Sequence, residues 1–559
     1  TDPLTLRWPS ADLPRSLDPA KTILDAVLRK GIKTLDRLEG HYSLVLYQER
    51  TKKLILQSDP LSSVCLYVAQ NGSNIAFSTL MSPLLKTGYF PKALNETTIA
   101  EYLTLHSETQ YSRATNTIID SISLLPPKNR WTFEVDGKYY EQIQRPELDK
   151  ITDSTLAIKL FRKTLDQVIH ESTQHSVKTG IMLSGGLSST IVGGLLSTQS
   201  REVYSYTQVP LFIPNKIPTN INPDEESLVK AFIPYHLNIH PAFESSKGSS
   251  AYTILDRYLD CLESPYTDFI NSHWINSISQ RAVNEACDDL VCANFGSTTL
   301  SFGSFESAAS ELFYGFHWIT LWKELKHRHQ RTNLSKFKIM IPILLRSLPH
   351  QLSQILQPNI RNKSEVHTII NPDFYKRMKM NKSHNHLRKT SAQSQTLPLR
   401  KQLNSMRSDT VLSRIGAVNT KMSLAYGINI FDITFDSRLV DLVKSFPPTA
   451  FVHNGVERRI AREGFDDVIP SEISINEKEG YQGFDFIYRL LPHWSEIRFE
   501  LNIALNHPLI QRYFDIPRLK KALELTTYPD PNDYLNPEVH LLMKTLILYH
   551  YFLKWEKYP

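Results

Sequence analysis

The sequence predicts a two-domain chain. An α+β domain built on an antiparallel β sandwich covers residues 1–150, and an α/β domain with a doubly wound parallel sheet and a helical C-terminal end covers 151–559. Three observations predict it. Short apolar runs separated by turn residues follow one another between 41 and 77, the pattern of paired antiparallel strands. Residues 179–196, TGIMLSGGLSSTIVGGLL, read as a short buried strand, a glycine turn and an apolar helix. Beyond them strands alternate with helices, which implies a parallel sheet covered on both faces.

Composition narrows the function classes. A formal charge of +6 spread over 559 residues does not call for nucleic acid, and no apolar run reaches the length of a membrane span. Neither a nucleic acid nor a membrane is therefore an expected partner. Cys65, Cys261, Cys287 and Cys292 lack metal or redox spacing and read as buried thiols of a reducing compartment. No leader pattern precedes the first helix, so the expected location is the cytoplasm.

In chain order, residues 19–29 carry a helical pattern. Strands are predicted at 41–47, 54–57, 65–68 and 74–77, with Asn71-Gly72 as a hairpin signal. A helix over 155–170 leads into the strand at 180–183. A β-type run at 203–207 precedes a proline- and asparagine-rich loop over 210–223, and a helix opens at 224. A further strand lies at 289–293, and 537–555 closes the chain as a helix apolar on one face. Basic residues cluster between 320 and 410, from Lys323, Lys326, Arg328 and Arg331 to Arg388 and Lys389. They read as solvated helix faces, with a rim for a phosphate or an acidic peptide as the sharper alternative. His384 and His386 lack the partners a zinc site needs.

The turn at 184–186 carries the chemistry. Adjacent glycines let backbone approach a ligand, and N–H groups at the start of a helix favour an anion. Ser184, Ser188, Ser189 and Thr190 add hydroxyls, and the lysine of a GxxxxGK[ST] loop is absent. The segment LSGGLSST at 183–190 resembles the pyrophosphate loop of the N-type ATP pyrophosphatases, and within them the asparagine synthetase family, which includes β-lactam synthetases and lasso-peptide cyclases. The resemblance extends to 38–47 (LEGHYSLVLY), 58–67 (SDPLSSVCLY), 76–79 and 124–127, which look like the family's N-terminal Ntn amidotransferase domain. It continues through 263–265 (ESP), 294–303 (NFGSTTLSFG), 422–443, 455–464 and 476–483 (NEKEGYQG).

The resemblance implies ATP as cosubstrate. Leu183, Ser184, Gly185, Gly186, Ser188, Ser189, Thr190 and Gly296 would line its site, and Lys478, at the lysine of the β-lactam synthetase loop, would be catalytic. It also implies Mg²⁺, but the family's metal carboxylates fall here on Ser188 and on Thr298 and Thr299. A side chain used in catalysis by several members falls on Phe295. No residue is therefore assigned to a metal, because Mg²⁺ keeps its waters unless carboxylates compensate its charge. Thr1 stands where no cysteine nucleophile precedes the pattern, so the first domain reads as structural, without glutaminase chemistry.

The leading expectation is an ATP-dependent, carboxylate-adenylating, amide-forming synthetase or cyclase of peptide or natural-product biosynthesis. Its substrates would be a small-molecule or peptide carboxylate and an amine. The alternative is a catalytically degenerate relative acting as a binding or scaffold partner, in a complex with another protein or as a homodimer. A true asparagine synthetase ranks third.

Overall fold

The structure, a computed structural model, describes residues 18–105, 111–135, 137–199, 202–347, 369–378 and 397–559. Thr1, His384, His386 and the cations at 379–389 lie outside the described residues.

The N-terminal domain forms two antiparallel sheets. Strands β1 (Ser43–Gln48), β2 (Lys53–Ser58), β3 (Tyr67–Asn71), β4 (Asn74–Ser78), β5 (Ile122–Leu124), β6 (Asn129–Glu134) and β7 (Gly137–Gln142) pair in the orders β1-β2-β6-β7 and β4-β3-β5. The β3–β4 hairpin turns at Gly72, whose φ is +59°, with Asn71 facing Asn74. Leu56, Trp131 and Phe133 of the first sheet meet Val68 and Ile75 of the second, so the two sheets form a sandwich. The far side of the second sheet is also apolar. Tyr67, Ala69, Ile122 and Leu124 there join the core of the following domain.

That domain is built on a five-stranded, all-parallel sheet. β8 (Thr179–Met182), β9 (Val203–Gln208), β11 (Ile239–Glu244), β12 (Asp289–Cys292) and β13 (Asn429–Asp432) stand in the order β11-β9-β8-β12-β13. Alternation along the strands feeds two cores, the requirement of a sheet covered on both faces. Tyr206, Leu290 and Ile430 enter one with the helices Ser272–Asn284, Asp409–Tyr426 and Pro537–Glu556. Ile181, Val203 and Val291 enter the other with Ser154–Thr173, Leu187–Thr198 and Ser437–Ser445. The 455–464 segment turns helical only at Arg459–Gly464. The residues before it form a small hairpin of β14 (Val452–His453) and β15 (Val456–Glu457).

Strand order reverses between β8 and β12, which places the switch point, and any ligand crevice, at their carboxyl ends. A short parallel pair closes that end. The tail of the 210–223 loop forms β10 (Ile221–Asn222), and it pairs with β16 (Glu479–Gly480), so Lys478 is carried to the carboxyl end of the sheet.

Candidate functional site

A cavity of about 720 Å³ opens at the switch point. The 183–189 turn after β8, the Tyr206–Gln208 end of β9, Asn294, Ser297 and Ser301 after β12, and Lys478 to Gly480 all border it. Of the residues predicted to hold the cosubstrate, Leu183, Ser184, Gly185, Gly186, Ser188 and Ser189 line this cavity, as does Lys478.

The turn differs in detail from a bare row of outward N–H groups. The Ser184 N–H donates to Ser189 Oγ at 3.1 Å, and the Gly186 N–H donates to Ser184 Oγ at 3.2 Å. The two hydroxyls lie 2.9 Å apart. Ser184 and Ser189 therefore staple the turn, while the helix Leu187–Thr198 begins at Gly186 with no side-chain cap on its first turn. Those unpaired donors, with the dipole behind them, remain the anion-attracting feature. Gly185 is set by packing, since a methyl there would come within 2.5 Å of Leu228 Cβ.

Two predicted positions fall off the cavity wall. Thr190 is buried, and its hydroxyl donates to the Gly186 carbonyl at 2.9 Å. Gly296 leaves room for Ser188 rather than for a ligand, because a methyl on it would lie 2.5 Å from Ser188 Cβ. Phe295 also turns away. Its ring packs against Phe435 with Leu61 of the sandwich domain nearby, and its N–H donates to Asp432 at 2.6 Å.

At the magnesium positions the hydroxyls are already engaged within the protein. Ser188 Oγ is bonded to Ser301 Oγ at 2.8 Å. Thr298 Oγ1 donates to the Phe295 carbonyl at 2.9 Å, and Thr299 is fully buried against the same carbonyl. Among the described residues no group of three or more His, Cys, Asp or Glu side chains converges. The carboxylates that border the cavity hold partners already: Glu225 with Gln482, Asp268 with Asn271, Glu457 with Arg328, and Glu479 with Arg458. These residues do not fit a resident Mg²⁺ ion held by protein carboxylates.

Further charged residues border the cavity or brace its rim. Glu225 caps the approach from the Glu226–Phe232 helix. Burial pushes its carboxyl up to about 6, opposed by the Gln482 hydrogen bond and aided by the neighbouring Asp224. Asp268 lines the cavity with its side chain open to solvent, and the surrounding protein raises its carboxyl too. Arg458, in a left-handed conformation at φ +59°, reaches Glu479 at 3.3 Å. Arg462 donates to the Asn476 carbonyl at 2.8 Å, and Arg331 pairs with Glu477 at 2.8 Å. Three arginines thus fasten the 476–480 segment. Lys478 itself is exposed on the rim, with no carboxylate at its ammonium among the described residues.

Glu225 makes a pH prediction. Its folded pKa lies above the unfolded carboxyl value, so its contribution to stability is full below about 4.5 and is lost as pH rises through about 6. Glu225→Gln should remove that dependence and stabilise the protein above pH 6 by roughly 2 kcal/mol. Urea denaturation at several pH values checks it, and parallel curves for both proteins would contradict it.

Fold and site together define a two-domain α/β protein with a cavity at the switch point of a parallel sheet, set behind an antiparallel sandwich. The chain belongs to the asparagine synthase family, whose description matches residues 160–269 and 307–521. Residues 15–142 match a glutamine amidotransferase domain. The stretch between the two asparagine synthase matches holds Phe295, Thr298 and Thr299, where the family's acidic motif is missing. The probable glutamine-hydrolysing asparagine synthetase of Schizosaccharomyces pombe is 23% identical over 195 residues, 34% of this chain and 30% of that relative. The chain therefore matches less than a third of the relative's length. No helix among the described residues is long and apolar enough to cross a membrane.

Proposed function

We propose that the protein is an ATP-dependent amide-forming ligase that activates a carboxylate as its adenylate, acting on a small-molecule or peptide carboxylate and an amine. One observation carries the reading: the uncapped start of the Leu187–Thr198 helix and Lys478 border the same cavity at the switch point. ATP bound there would supply the activating group. The helix N-terminus and Lys478 would hold its phosphates, and the positive charge of Lys478 would offset the charge that develops on the departing pyrophosphate. The sandwich domain is proposed to be structural, and the site of action to be the cytoplasm.

The occupied hydroxyls of Ser188 and Thr298 favour a second reading, a member of the family that binds nucleotide or a partner without turnover. Losing the metal carboxylates removes several kcal/mol of transition-state stabilisation unless the nucleotide brings its own ion. Calorimetric titration with ATP, with and without Mg²⁺, separates the readings. Micromolar binding followed by pyrophosphate release with amino acids or peptides supports the ligase. Binding without release supports the second reading, and no binding at millimolar ATP sinks both nucleotide readings. Lys478→Ala should weaken ATP at least about tenfold, the effect of losing one charge-assisted contact to phosphate. An unchanged dissociation constant would remove Lys478 from the phosphate site.

A further inference from the structure

Away from the cavity, the segment 314–344 exposes large apolar side chains on a hairpin of two helices, Trp318–Thr332 and Lys336–Ser347. Phe316 and Ile319 are each 76% exposed and Phe337 is 85% exposed, so they stand out from the surface instead of lining a groove. Trp318, Trp322, Ile341 and Leu344 are exposed beside them. The surface is continuous. The Phe316 and Trp318 rings meet edge to face at 6.0 Å, Trp322 lies one helical turn on, and the Lys336 ammonium sits 4.6 Å from the centre of the Trp322 ring. Phe337, Ile341 and Leu344 then repeat along one face of the second helix.

The charge on this hairpin has one sign. Lys323, Lys326 and Lys338 are exposed, with no acidic partner among the described residues. Its one acid, Glu324, is buried and accepts from the N–H groups of Asn454 and Gly455 at 3.1 and 2.7 Å. A second copy of the chain would bring like charge against like charge. A protruding row of Trp, Phe and Ile edged by lysines is instead suited to the boundary between headgroups and acyl chains.

We infer that this hairpin docks the protein peripherally on an anionic lipid surface, Phe316, Ile319 and Phe337 entering the acyl boundary and Lys323, Lys326 and Lys338 meeting the headgroups. Either signal alone gives weak, reversible binding, and the two together give stable attachment. Attachment of this kind needs no spanning segment.

The test is flotation of the full chain with phosphatidylcholine vesicles, pure or containing about 30 mol% phosphatidylserine. The protein should float with the anionic vesicles and not with the neutral ones. Binding should fall as salt rises from about 0.1 M to about 0.5 M. Phe316→Ser combined with Phe337→Ser should reduce it at least about tenfold through lost apolar insertion. Lys323→Glu with Lys326→Glu should do the same through charge, while both variants keep the parent melting temperature because the changed side chains are exposed. Failure to float with either vesicle, or flotation unaffected by both variants, overturns the inference. So does a dimer seen by light scattering that the Phe316→Ser/Phe337→Ser variant abolishes, or retention on an acidic polypeptide in place of vesicles.

Discussion

Gly416→Ala should loosen the sandwich domain from the parallel-sheet domain. Gly416 lies on the Asp409–Tyr426 helix, where a methyl would overlap the Ser62 carbonyl oxygen and stand 3.1 Å from Ser63 Cα. The loop opposite cannot retreat. Ser62 is held at φ +52°, its N–H donates to the Asp59 carbonyl at 3.2 Å and its hydroxyl to the Leu125 carbonyl at 3.1 Å. The Asp59 carboxylate grips the loop from beneath through the Leu61 N–H at 2.7 Å and the Ser63 N–H at 3.0 Å. The helix must therefore move, and with it Thr420, which receives the Cys65 N–H at 3.0 Å one turn further on. Overpacking of this kind costs about 3 kcal/mol or more, because backbone faces backbone. The measurement is thermal denaturation paired with limited proteolysis. The midpoint should drop, and the sandwich domain should be cut first. Gly193→Ala serves as the control. Its methyl would meet Leu183 at 3.4 Å, an ordinary contact, and helix propensity favours alanine by about 1 kcal/mol. Equal melting of the two variants would mean that the domain junction adapts.

The same junction shows why some of the molecule was legible in the sequence and some was not. The strand, glycine turn and helix at 179–196 declare themselves through local composition, as do the Asn71-Gly72 hairpin and the helices over 154–173 and 537–556. Lys478 could be placed by its position in the 476–483 segment, and it does border the cavity. The β10–β16 pair that brings it there joins two-residue strands more than 250 positions apart. Such short strands have no period to read. Family position left the side-chain directions at Gly296, Phe295 and Thr298 open, because a motif gives the place of a residue in the chain but not the direction of its side chain. Phe295 is drawn into the apolar contact with Leu61 and Phe435, and Thr298 spends its hydroxyl on its own turn. Asp268 had no motif of its own, and the raised carboxyls of Asp268 and Glu225 come from the protein around them.

Asp485→Ala is expected to be the most costly change of a single charged side chain near the cavity. Asp485 is fully buried and Arg489 nearly so, and their charged atoms lie 2.7 Å apart. The carboxylate also accepts the Leu211 N–H at 2.8 Å, three residues beyond the cavity-lining Gln208. The guanidinium donates to the carbonyls of Ser245 at 2.6 Å and Ser246 at 2.9 Å, directly after β11. One ion pair therefore ties the chain after two strands of the sheet to the Phe486–Leu490 helix. Removing the acid leaves a buried cation facing only carbonyls and strips Leu211 of its acceptor, a loss of about 3–5 kcal/mol. Asp485→Asn should cost less, since its amide oxygen still receives the Leu211 N–H. The double change Asp485→Leu with Arg489→Met should recover only part of the loss. It cures the stranded charge, but the carbonyls of Ser245 and Ser246 then lose their donor. Denaturant unfolding of the three variants gives the ranking. If the double variant were less stable than Asp485→Ala, the carbonyl contacts of Arg489 would outweigh its pairing with Asp485, and the clamp on the strand ends would belong to the arginine alone.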